Sequence, residues 1–192
     1  MALLDPGRIT SSRQTFSFLL LALIVCLFNS GAARAQTGNP REYQIKAAFL
    51  YNFVQFVKWP ATAFSRSDAP FNIGILGDDP FGPALDDTVQ GDSIDGHRLT
   101  IMRSPRVEEL KDCQMIFVSR SEESHAGEIL AQLGSRPILT VSEAENFARQ
   151  GGDIDFYISE GKVRFEINPR AAAQCGLKIS SQLLALGKIV TP

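Results

Sequence analysis

Few residues in this chain have side chains suited to catalysis. His97 and His125 are the only two imidazoles. His97 follows a glycine and opens an alternating stretch, HRLTIMR. His125 sits with Glu122, Glu123 and Ser124 on what reads as a polar helix face. A serine or cysteine nucleophile needs a positioned base. No H-E-x-x-H, C-x-x-C or G-x-S-x-G arrangement supplies one. Ser180-Ser181 beside Lys178 reads as a closely packed helix rather than a Ser/Lys pair. The stretch FNIGILGDDPFG, residues 71–82, runs from apolar residues into a glycine and two aspartates, as many phosphate-binding turns begin. Its glycines, Gly74, Gly77 and Gly82, have the spacing of neither a dinucleotide fingerprint nor a P-loop. Asp78 and Asp79 would also repel a phosphate. Two adjacent aspartates without a third ligand make no metal site. Asp79-Pro80 reads instead as an N-cap and N1 proline for the helix FGPALDDTV. The pairs Asp86-Asp87, Glu108-Glu109 and Glu122-Glu123 read as solvated faces. These residues yield no catalytic, cofactor-binding or metal-ligating set.

The address of the protein bears on what it does. Arg8 and Arg13 precede the 13-residue apolar run FSFLLLALIVCLF, and Ala33-Arg34-Ala35 follows it. A basic flank, a short apolar stretch and a small-x-small exit describe a secretory signal peptide over residues 1–35. A spanning helix needs about 20 apolar residues. Residues 36–40 read as a flexible lead-in, and the expected location is the periplasm. Removing residues 1–35 takes away Arg8, Arg13, Arg34 and Asp5. The 19 basic and 21 acidic residues become 16 and 20, a net charge of −4. That balance argues against nucleic acid or an anionic membrane as the main partner.

The remaining residues alternate between helical and strand patterns. Glu42 to Pro60 reads as one helix ended by Trp59-Pro60. Ile45, Phe49, Phe53 and Val57 form an apolar row on it, with a narrow polar stripe at Arg41, Gln44, Asn52 and Gln55. A helix apolar around most of its circumference is buried or meets a partner. Strands are predicted at 71–76, 97–103, 113–119 and 137–141, with a helix over 122–134. Ser142-x-x-Glu145 offers a capping box for a helix SEAENFARQ closed by Gly151-Gly152. Residues 153–159 and 162–167 alternate strictly around Glu160-Gly161, the signature of a hairpin. Asn168-Pro169 opens another helix, and 177–190 reads as a last one. The fold class is α/β: a single three-layer domain with a mixed, largely parallel sheet and a C-terminal antiparallel hairpin.

The blocks KAAFLYNFVQFVKWP, GDDPFG, DCQMIFVS, ILTVSEAENFARQGGDIDF, VRFEINPRAA and GLKISSQLL follow one another as in the YfiR family of periplasmic proteins. The resemblance covers residues 41–190. It implies one α/β domain, often dimeric, with no catalysis of its own. The family's namesake restrains a membrane-bound diguanylate cyclase from the periplasmic side and is itself sequestered by an outer-membrane lipoprotein. The implied partners are therefore a cyclase's periplasmic domain, such a lipoprotein, and a second copy of the chain. In the family, the cysteine matching Cys113 pairs with one in the strand that here reads FNIGIL, which has none. The second family bridge is also missing from GGDIDFYIS. Cys113 and Cys175 are accordingly expected to be free.

Two functional readings remain open. One is a regulatory protein that represses a membrane transducer and so lowers cyclic di-GMP signalling. The other is a small-molecule-binding sensor acting through a partner. Exposed aromatic and cationic anchors favour partner surfaces, which singles out Tyr51, Asn52, Lys58 and Trp59 around the first helix.

Overall fold

The computed structural model of the protein describes residues 39–191. The expected signal peptide, residues 1–35, and residues 36–38 of the expected lead-in lie outside the described residues.

Helix α1 (Pro40–Phe56) starts where Asn39 accepts a hydrogen bond from the Arg41 amide at 3.1 Å, with Pro40 in the first turn. It stops at Phe56, earlier than the sequence predicts. Val57 turns extended because strand β1 (Val57–Lys58) pairs antiparallel with β9 (Lys178–Ile179). The buried side is also rotated from the predicted row. Tyr43, Lys46, Ala47, Leu50, Phe53 and Val54 are buried. Ile45, expected inside, is 41% exposed.

An eight-stranded sheet carries the domain. Its strands are β2 (Phe71–Leu76), β3 (Ser93–Ile94), β4 (His97–Ser104), β5 (Met115–Val118), β6 (Leu139–Ser142), β7 (Ile154–Ser159), β8 (Lys162–Ile167) and β10 (Lys188–Ile189). They lie in the order β10-β8-β7-β6-β5-β2-β4-β3. Neighbours from β4 through β2, β5 and β6 to β7 are parallel, while β7–β8 and β3–β4 are antiparallel. Alternation along each strand sorts the apolar residues onto two faces. Ile73, Ile75, Met115, Phe117, Val141 and Phe156 face one core, roofed by α1 and by helix α2 (Pro83–Val89). Leu76, Ile116 and Val118 face a second core with helix α3 (Ala126–Leu133) and Phe147. This is the expected three-layer α/β arrangement.

The hairpin follows the sequence: Glu160 and Gly161 both take positive φ, as a type I′ turn requires. So does helix α4 (Pro169–Gln174), where Asn168 accepts from the Ala171 amide at 3.0 Å. Four local expectations fail. Ser142 ends β6 instead of capping a helix; its hydroxyl donates to the Val118 carbonyl at 2.8 Å, and Asn146 at φ 60° redirects the chain, leaving one 3₁₀ turn at Ala148–Gln150. The stretch 122–134 is 3₁₀ over Arg120–His125 before α3 begins. Asp79 does not cap α2, whose cap is Gly82; its carboxylate accepts from the Phe81 amide at 2.8 Å and pairs with Arg103 at 2.7 Å. The last helix is split into β9, α5 (Ser181–Leu186, capped by Ser180) and β10. Gly187 ends α5 in extended backbone, packed so closely that a Cβ there would come within 2.6 Å of the Phe165 ring.

Cys113 is buried, Cys175 half-buried, and both are free. Burial pushes the Cys113 thiol up to about 12, which keeps it protonated at neutral pH. Gly74 faces it across the strands: a Cβ at Gly74 would lie 3.1 Å from the Cys113 sulfur. Gly74→Cys should therefore form a bridge to Cys113 under oxidising conditions, adding up to about 4 kcal/mol by loop closure. Alkylation of the denatured, non-reduced variant prepared as residues 36–192 should then label Cys175 alone; three labelled cysteines would show that no bridge had formed.

Candidate functional site

Two features meet where the parallel strands end at their carboxyl edge. Strand β2 leads to β4 on one side, and the chain then crosses to β5 on the other. This reversal of strand order is where open α/β sheets place their ligands. Here the edge holds a buried charge cluster. Lys46, only 2% exposed, reaches back one turn to Glu42 at 2.5 Å and across to Glu143, the residue after β6. Tyr43 donates to Glu143 at 2.9 Å, and the Lys46 ammonium lies 4.7 Å from the centre of the Tyr43 ring. Burial, reinforced by the Glu143 carboxylate, raises the Tyr43 phenol well above its ordinary range. Nearby in the fold, Ser119 follows β5, and its hydroxyl is buried without a hydrogen-bond partner. Sequence reasoning passed over Lys46 and Glu143. The signal available was Glu42-x-x-x-Lys46 inside an otherwise apolar helix.

The second feature is an uncovered apolar strip. Phe49 of α1 packs on Phe156 at 6.0 Å and on Phe165 at 5.3 Å. Beyond those two rings the hairpin continues with Ile158 opposite Val163. By alternation both belong to the face that α1 covers, yet Ile158 is 53% exposed. Ile45, one turn before Phe49, is exposed as well.

The four residues singled out in the sequence fall in two places. Tyr51 and Asn52 lie midway along α1, Asn52 exposed and Tyr51 half-buried. A hydrogen bond to Asp92 raises the Tyr51 phenol. Lys58 is exposed on β1, at the opposite end of α1 from Lys46. Trp59 points inward: its indole donates to the Gln114 carbonyl at 2.8 Å, and its ring meets Phe71 edge-on at 4.8 Å. It anchors the chain after α1 to the amino edge of the sheet.

The two histidines make local contacts, and His125 Nδ1 lies 3.5 Å from the neighbouring Ser124 hydroxyl. His97 stacks on Phe64 at 3.9 Å, with its Nδ1 against the Ala69 carbonyl at 2.6 Å. His125 is exposed beside Glu122 at 3.7 Å. Ser180 caps α5 and accepts from the Leu183 amide. Among the described residues no group of three or more His, Cys, Asp or Glu side chains is arranged to hold a metal. No helix among them is long and apolar enough to cross a membrane.

The chain belongs to the YfiR/HmsC-like family, whose model matches residues 43–188. No curated protein matches it. Among solved structures it is similar to a conserved domain protein from Vibrio cholerae, with a TM-score of 0.52 and 12% identity. It is also similar to the ABC domain in complex with L-Trp from Streptococcus pneumonia, with a TM-score of 0.51 and 13% identity. Each likeness covers 78% of this chain and 60% of the other. At these identities the likeness is one of fold, and the chain spans only about 60% of the length of those structures.

Removing one member of a buried ion pair leaves the other uncompensated, which costs about 3–5 kcal/mol; an apolar replacement of the pair is often neutral. Lys46→Met should therefore destabilise the protein by that amount in urea denaturation. Adding Glu143→Leu should recover most of the loss. A double variant as unstable as the single one would contradict this.

Proposed function

We propose that this protein is an exported, non-enzymatic regulator that binds the periplasmic domain of a membrane-bound diguanylate cyclase and lowers cyclic di-GMP signalling. Residues 1–35 are its secretory leader, 36–40 a lead-in and 41–190 the binding domain. Membership of the YfiR/HmsC-like family supports this reading. The observation that carries it is the open strip formed by Ile45 and Phe49 of α1 with Ile158 and Val163 of the hairpin. Exposed apolar surface of this kind marks interaction sites. Asn52 flanks the strip on α1, Lys58 contributes charge beyond the helix end, and Tyr51 and Trp59 support the backbone behind them. An outer-membrane lipoprotein or a second copy of the chain would compete for the same surface.

An exported protein and a cytoplasmic nucleotide never meet, so the effect must pass through two states of the transducer. The regulator binds the less active state more tightly. A preference of ~100-fold corresponds to about 2.7 kcal/mol, within reach of a modest interface.

The reading as a small-molecule sensor has one observation in its favour. A cavity of about 300 Å³ opens at the amino edge of the sheet between Phe64, Cys113, Ile138, Lys111 and Arg136. That volume is at the lower limit of ordinary ligand pockets. The Streptococcus structure of similar fold is an L-Trp complex.

Deleting the gene should raise cyclic di-GMP several-fold while the cyclase is expressed. A copy lacking residues 1–35 should fail to restore it. Ile45→Asp with Ile158→Asp should lose most of the repression and keep the melting temperature within a few degrees. Unchanged cyclic di-GMP on deletion would favour the sensor reading.

A further inference from the structure

The loop of residues 143–152 joins β6 to β7 and closes over two buried carboxylates. Asp153 and Asp155 flank Ile154 at the start of β7 and are 2% and 4% exposed. One oxygen of each is satisfied. Asp153 Oδ2 accepts from the amide and the hydroxyl of Thr140, at 2.8 and 2.7 Å. Asp155 Oδ2 accepts from the Ala148 amide at 3.3 Å. The other oxygen of each, Oδ1, is buried with no hydrogen-bond partner.

The surrounding charges do little to offset this. Asp153 faces Thr140 from β6 and the half-buried Cys175 thiol at the end of α4, and no cation. Asp155 faces Arg149 from the loop and Glu166 from β8. Glu166 already takes both Arg149, at 3.1 Å, and Lys188, at 2.6 Å. A buried, ionised carboxylate with an orphaned oxygen is costly, and a protonated one far less so. Burial pushes the Asp153 carboxyl up to about 6 and raises Asp155 as well.

Proton uptake here has a mechanical route outward. Ala148, in the middle of the loop, is held by Asp155 through its amide and by Asn168 through its carbonyl at 2.9 Å. The Asn168 amide in turn donates to the Asp153 carbonyl at 2.7 Å. Glu143, the first residue of the loop, grips Lys46 and Tyr43 of α1. We propose that the 143–152 loop is an acid-tightened clasp. Protonation of the buried Asp153 carboxyl, which leaves no bare charge beneath the loop, strengthens its closure, and ionisation loosens the loop and, through Glu143, the start of α1; at Asp155 the Ala148 amide bond favours the ionised form and offsets part of its burial. That this would tune partner binding along α1 rests on the proposed function. The clasp itself does not.

The sign follows from the direction of the shifts. A carboxyl raised in the closed form binds its proton more tightly there. Closure is therefore strongest below about pH 4 and weakens as pH rises through about 6. Glu166 acts in the opposite sense: its hydrogen bonds to Lys188 and Arg149 outweigh its burial and hold it below the usual range, so its contribution is lost only in stronger acid.

Amide hydrogen exchange of the isolated protein, corrected for intrinsic pH dependence, tests the clasp. Protection over residues 144–152 should be about tenfold higher at pH 5 than at pH 7. Asp153→Asn should remove most of that difference. Protection that does not change with pH, or that changes equally in the variant, would overturn the proposal. Carbon-13 titration of the Asp153 carboxyl in the unaltered protein gives a second readout: a midpoint near 6 is expected, and one near the ordinary aspartate value would refute it. Neither measurement involves a partner, so their failure is distinguishable from failure of the proposed function.

Discussion

One buried ammonium fixes how α1 lies on the sheet. Lys46 is held between Glu42 of its own helix and Glu143 at the end of β6. A desolvated charge tolerates little displacement, because any shift that uncouples it leaves an unpaired ion in a low-dielectric interior. The pair therefore sets both the rotation and the axial position of α1. With Lys46 turned to the sheet edge, Tyr43, Ala47, Leu50 and Val54 pack inward and Ile45 is carried out to solvent. The open strip is thus a consequence of the charge cluster: the helix cannot bury Ile45 and keep Lys46 paired.

The same geometry explains where the surface ends. Strand β7 continues past the carboxyl end of β6, pairing only Val141 and Ser142 with Ile154 and Asp155. Phe156 and Phe165 are roofed by Phe49 and Phe53. Ile158 and Val163 project beyond them. A hairpin reaching beyond its covering helix presents apolar side chains on a rigid support, with little conformational entropy left to lose on contact.

Much of the fold was legible because its signals are local. The alternation in 71–76 and 154–167, the Glu160-Gly161 turn and the Asn168-Pro169 cap all depend on residues within a few positions of one another. What failed depended on distant partners. Ser142 reads as a helix cap until its hydroxyl is seen donating to Val118 across the sheet. Residues 177–190 read as one helix until Lys178–Ile179 pairs with Val57–Lys58 and Gly187 is pressed against Phe165. The site was less legible for the same reason. Lys46 and Glu143 are 97 residues apart. Trp59 was singled out as a contact anchor, and its indole hydrogen bond to the Gln114 carbonyl, 55 residues away, could not be read from its neighbours.

Repression through contact is the central claim, and photocrosslinking in living cells tests it most directly. A photoreactive residue placed at Ile158, on the strip, should capture the membrane cyclase. The same group at Gln132, on exposed α3 across the sheet, should not. Capture from Gln132 with none from Ile158, or from neither position with the cyclase present, would contradict the account.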